Sequence, residues 1–92
     1  MVLALIEALQ DDNAVVRQHA AYAVGEAGDA AAAEALKTAM RDTAAPVRLE
    51  AIRAIGKIEV SCATPALRLA LDDPDPDVRQ TAARVLEQFE AS

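Results

Sequence analysis

DDNAVVRQHAAYAVGEAGD, residues 11–29, sets an acidic turn, an arginine, the only histidine of the chain and a run of alanines side by side. Arg17, His19 and Tyr22 fall within six residues, a grouping that suits an active site. It suits one period of a repeating scaffold equally well, and recurrence decides between the two. Val16-Arg17 returns as Val47-Arg48 and again as Val78-Arg79, 31 residues apart each time. Asp11, Asp42 and Asp73 each precede their arginine by six residues. Leu5, Leu36 and Leu67 keep the same register, as do Ala20, Ala51 and Ala82, then Val24, Ile55 and Leu86. Three copies in step over nearly the whole chain make this a repeat protein.

Each copy reads as two helices. Leu5, Ala8 and Leu9 have the i, i+3, i+4 spacing of one helical face. A polar break follows (QDDN, RDTA, DDPD), and a second helix begins with start signals. Asn13 and Asp75 can cap, and Pro76 fits a first turn where its missing N–H costs nothing. The second-helix stripes are Val16, Ala20, Val24, Ala27; Val47, Ala51, Ile55, Ile58; and Val78, Ala82, Leu86, Phe89. The spacing predicts helices near 2–10, 14–27, 30–41, 45–58, 62–72 and 76–90. One such hairpin cannot cover its own apolar face, but stacked copies bury a continuous core. The expected fold is all-α, a right-handed α-solenoid. It forms one domain of three two-helix repeats, at about 1–28, 29–59 and 60–92. Polar breaks every 31 residues exclude a sustained coiled-coil heptad.

DDNAVVRQHAAYAVGEAGD and DDPDPDVRQTAARVLEQF, residues 11–29 and 72–89, resemble HEAT repeats of the short kind found in phycobilin lyase subunits. The resemblance covers essentially the whole chain, through its D-x5-R and VR-x2-A-x2-A-x-G pattern. Two departures stand out. Glu59-Val60 replaces the Gly28-Asp29 pair, and Glu87 replaces the glycine of Gly25 and Gly56, so a less regular junction into the third repeat is expected. The resemblance implies an Asp/Arg ladder between adjacent repeats: Asp11, Arg17, Asp42, Arg48, Asp73 and Arg79. Residues that recur at the structural period are structural first.

Catalysis lacks its parts. His19 has Glu50 and Thr81 as counterparts and no second histidine or cysteine at ligand spacing, so no metal site and no cofactor are expected. The family includes a di-iron hydroxylase with His-Glu pairs. Here the matching positions read Gln18-His19, Leu49-Glu50 and Gln80-Thr81, so that activity does not carry over. Cys62 has no histidine near it in sequence and reads as a packing cysteine at a helix start. The expectation is a chain that is not itself an enzyme.

What varies within the constant frame is one face of the second helices: Gln18, His19, Tyr22, Glu26; Leu49, Glu50, Arg53, Lys57; Gln80, Thr81, Arg84, Gln88. The resemblance implies that these helices line a concave side. Tyr22 and Leu49 are expected there as exposed apolar bodies beside Arg53 and Arg84, and Tyr and Arg are frequent anchors of protein interfaces. Candidate partner-binding residues are therefore Gln18, His19, Tyr22, Leu49, Arg53, Lys57, Arg84 and Gln88. A competing reading makes them ordinary solvated residues that vary because nothing constrains them. The face carries Arg53, Lys57 and Arg84 against Glu26 and Glu50, while the chain as a whole is −6. That suits a protein or acidic peptide partner and disfavours nucleic acid and anionic membranes. The alternative function is a subunit or fragment of a heteromeric lyase or other enzyme with the chemistry elsewhere.

Two further expectations follow from composition and the first helix. One cysteine cannot form an internal disulfide, no apolar run spans a bilayer, and MVLALIEAL lacks a basic leader region. A cytoplasmic location is expected. Leu3 and Ile6 stand where the later copies have Glu34 and Lys37, then Pro65 and Arg68. A terminal repeat should become more polar outside, so these two are expected to contact missing repeats or a second copy, ahead of simple local packing.

Overall fold

The computed structural model describes residues 2–59 and 63–90. Cys62 lies outside them, as does the expected start of the fifth helix. The described residues form six α-helices in three successive hairpins: α1 Val2–Ala8, α2 Ala14–Ala27, α3 Ala33–Ala39, α4 Ala45–Ile58, α5 Thr64–Ala70 and α6 Pro76–Glu90. The second helix of each pair matches the expected span. The first helices are shorter, because their ends tighten into three-residue turns. Leu9 N–H reaches the carbonyls of both Leu5 and Ile6, Arg41 N–H reaches Thr38, and Leu71 N–H reaches Arg68. A 3-10 turn, Ala30–Ala32, leads into α3.

Two of the second helices, α2 and α6, start at capping residues. The Asn13 side chain accepts from Val15 N–H at 2.8 Å, and Asp75 accepts from Asp77 N–H at 2.8 Å. Gly28 ends α2 in the left-handed region at φ 68°, and its N–H returns to Val24. Glu59 ends α4 in the same way at φ 63°, without glycine's freedom to be there. The substitution seen in sequence is thus accommodated by a strained backbone rather than by a different turn.

Packing is layered. α2 lies against α4 and α4 against α6, while each first helix covers its own partner. Val24, Leu36, Val47, Ile52, Ile55, Leu67 and Val78 are fully buried, with Ala20, Ala51 and Ala82 between the layers. Among the described residues no polar or charged side chain is buried. Val16 and Ala27, expected in the α2 stripe, are exposed, and Ala21 and Gly25 enter the core instead. The cause is positional. Val47 and Val78 have a repeat packed on their N-terminal side, and Val16 has none among the described residues.

Helix proximity rests on two glycines. A Cβ on Gly25 would lie 2.9 Å from Ala54 Cβ and 3.0 Å from its Cα; one on Gly56 would lie 3.1 Å from Val85 Cγ2. Replacing a mid-helix glycine by alanine ordinarily stabilises by about 1 kcal/mol. At position 25 overpacking against backbone costs about 1–3 kcal/mol and should reverse the sign. Gly25→Ala is therefore expected to lower the melting temperature followed by circular dichroism. An unchanged or higher value would show that the α2–α4 contact has room to give.

Candidate functional site

The turns that open α2, α4 and α6 position the three arginines identically. Arg17 Nη1 donates to the carbonyls of Asp11 and Asp12 at 2.7 and 3.1 Å; Arg48 to those of Asp42 and Thr43 at 2.8 and 3.2 Å; Arg79 to those of Asp73 and Pro74 at 2.7 and 3.1 Å. The other edge of the guanidinium crosses to the next repeat. Arg17 grips both carboxylate oxygens of Asp42 at 2.7 and 3.1 Å, and Arg48 those of Asp73 at 2.7 and 2.9 Å. Each aspartate also caps its own turn, accepting from Ala44 N–H or Asp75 N–H at 2.8 Å. Such two-pronged contacts between ions are among the stronger hydrogen bonds a protein makes. The pairs are largely shielded, with side chains 15% and 11% exposed in the first and 15% and 9% in the second.

Burial pushes the Asp42 carboxyl up, but the Arg17 hydrogen bond, the Ala44 N–H and the nearby guanidinium charges outweigh it and hold it below its ordinary value. The Arg48 hydrogen bond dominates at Asp73, against burial, and the Asp75 N–H and the Arg48 and Arg79 charges add to it. Asp73 is likewise held low.

On the second-helix face the structure joins some candidates and leaves others apart. The Tyr22 hydroxyl donates to Glu26 at 3.2 Å, Lys57 Nζ donates to Glu26 at 2.9 Å, and Lys57 Nζ stands 5.0 Å from the Tyr22 ring centre. This exposed trio bridges α2 and α4. The Lys57 hydrogen bond, its charge and the Tyr22 hydroxyl lower the Glu26 carboxyl, while Glu26 raises Lys57. Arg53 pairs with Glu50 at 3.0 Å, and Gln88 donates to the Gly56 carbonyl at 2.9 Å. Gln18 and His19 make no side-chain hydrogen bond among the described residues. Arg84 has no carboxylate partner among them either. The basic character expected of the face is thus mostly neutralised within it, and Arg84 carries what remains.

Leu49 corrects the sequence reading. It is not an exposed apolar body but half-buried and packed against the core, because α4 is the middle second helix and is covered from both sides. Ile6 is also half-buried on the core, whereas Leu3 stands exposed.

Hollows elsewhere were not foreseen. One of about 570 Å³ runs along the turns, lined by Gln10, Asp11, Asp12, Arg41 and Thr43 among others. Another lies between α3 and α5 beside Glu34, Lys37 and Leu69, and Leu69 is 75% exposed. The signal for Leu69 was present as a departure from the repeat, since its counterparts are Glu7 and Thr38. Among the described residues no three His, Cys, Asp or Glu side chains gather as metal ligands do. No helix among them is long and apolar enough to cross a membrane.

The family of HEAT repeats matches residues 2–87. No curated protein matches the chain. Among solved structures, the complex of CpcE and CpcF of phycocyanin lyase from Nostoc aligns at 32% identity over 98% of this chain, with a TM-score of 0.90. Human deoxyhypusine hydroxylase, solved with glycerol, aligns at 30% identity over 99% of it, with a TM-score of 0.87. The chain spans 37% and 32% of those two proteins. These likenesses overturn the expectation that the chain is not itself an enzyme, because the similar structures are an enzyme and an enzyme complex. The expectation failed because it sought a complete catalytic set within three repeats. A solenoid can assemble such a set from repeats spread over a longer chain.

Acid should unlock the arginine–aspartate contacts. With Asp42 and Asp73 held below their unfolded values, their stabilisation is complete above the ordinary carboxylate range and is lost as pH falls through the lowered values. Thermal melts should change little from about pH 7 to 5 and drop below about pH 4. Asp73→Asn should be less stable at neutral pH and flatter in acid. Parallel curves for the two proteins would contradict the assignment.

Proposed function

The chain belongs to the HEAT-repeat family, and from that premise we propose that it is a scaffold module that holds a protein partner on its second-helix face. The observation that carries this reading is the Tyr22, Glu26 and Lys57 trio. A tyrosine 52% exposed is held by Glu26 of its own helix and by Lys57 of the next repeat. On the same helical layer Arg84 offers a guanidinium that has no carboxylate partner among the described residues. Tyr and Arg present large contact area at fixed geometry, which makes them frequent anchors. A rigid frame lowers the ordering cost of binding. Arg84 favours a partner that brings a carboxylate to it.

A second reading is favoured by the likeness to the phycocyanin lyase complex. In it the chain is part of a multi-component enzyme, and its face positions another component. The two readings share one surface and differ in what is held there.

Affinity capture from the source lysate tests both. Tyr22→Ser with Arg84→Glu changes only exposed side chains and should leave the melt within about 0.5 kcal/mol of the original. A protein recovered by the native chain and lost by this variant is the expected result, and its identity separates the readings: an enzyme component supports the second. Equal recovery by both would remove the second-helix face from consideration.

A further inference from the structure

A furrow between neighbouring first helices occurs twice in this molecule, at the 31-residue period, so the first copy is a baseline for the second. Between α1 and α3 it is floored by Leu9, Ala35 and Ala39 around a hollow of about 100 Å³. Between α3 and α5 the matching floor is Met40, Ala66 and Ala70, around a hollow of about 120 Å³. Two rim positions change in character. Gln10 and Thr38, both neutral and polar, give way to Arg41 and Leu69. An apolar body and a cation have thus entered the same furrow together.

Both side chains are available to a ligand. Leu69, in the last turn of α5, is 75% exposed, and Pro65 one turn earlier extends its apolar rim. Arg41 is exposed just beyond α3, and among the described residues its side chain makes no hydrogen bond or ion pair. The acids along the furrow are already taken: Asp42 by Arg17, Asp73 by Arg48 and Glu34 by Lys37. Nor does the opening depend on repeats beyond either end. Thr38 has a first helix on each side and is nevertheless exposed, so a repeat stacked against α5 would leave Leu69 at the surface as well. Solenoid repeats add end to end and do not cover this outer face.

We propose that the furrow between α3 and α5 docks an acidic amphipathic helix of a partner, which lays a leucine-sized side chain against Leu69, Pro65 and Ala66 and a carboxylate on Arg41. A groove between two packed helices suits a third, held through a few apolar anchors spaced one or two turns apart. The hollow beside these residues, about 350 Å³, has room for such side chains. Arg41 sets the sign of the partner, because the carboxylates around it are neutralised by other cations. This contact lies on the first-helix side, apart from Tyr22 and Arg84, and does not depend on the second-helix reading.

The probe is an alanine-based peptide of about 15 residues with leucine and glutamate on one face, long enough to hold a helix in water. Titrated into the isotope-labelled chain, it should shift amide resonances in α3 and α5 and leave those of α2 in place. Leu69→Ser should weaken binding about tenfold and Arg41→Gln about fivefold. Both replace exposed side chains and should fold, which circular dichroism verifies. A peptide with glutamine for glutamate should bind the native chain about fivefold more weakly, yet bind Arg41→Gln as well as the original peptide does. Absence of binding, or equal binding of the two peptides to the native chain, would overturn the proposal. Self-association of the native chain that Leu69→Ser abolishes would overturn it too, because the occupant would then be a second copy.

Discussion

Two arginines link the three repeats of this molecule turn to turn. Each spends one edge of its guanidinium on the carbonyls of its own turn and the other on the aspartate of the next turn. A lysine has no such fork and cannot serve both. The aspartate in turn accepts an N–H of the turn that precedes the next second helix, so a single contact ties that turn to the repeat before it. The apolar layers supply cohesion without direction, since alanine-rich faces tolerate sliding. The arginine–aspartate contact supplies the register. Gly25 and Gly56 then set the depth of approach.

That division of labour explains how much was legible in the sequence. Second helices were placed correctly, since Asn13, Asp75 and Pro76 mark their starts. The first helices were drawn too long. Their last turns tighten to three-residue hydrogen bonds, which the apolar spacing of Leu5, Ala8 and Leu9 does not register. Val16 looked identical to Val47 and Val78 in the pattern. What differs is its neighbour across the repeat boundary, a property of the stack rather than of the local sequence.

The candidate site was less legible for the same reason. Periodicity shows which residues share a face, but not which of them consume one another. Tyr22, Glu26 and Lys57 come together across 31-residue spacing, and Arg53 takes up Glu50, so a face read as basic is nearly self-neutral. Leu49 shares that face in projection and is half-withdrawn into the core. The relation to enzymes was legible in the repeat pattern, through its resemblance to phycobilin lyase subunits, and not in any single residue; the chain spans only about a third of the enzymes it resembles.

The central claim is that the arginine–aspartate contact sets the register of the stack. A double-mutant cycle on Arg48→Met and Asp73→Asn, read by chemical denaturation, measures it most directly, since the amide oxygen of the substituted side chain keeps the turn cap. The account predicts a coupling of about 1.5–3 kcal/mol between the two positions. A coupling below about 0.5 kcal/mol would mean that apolar packing alone aligns the repeats and that the ladder is incidental.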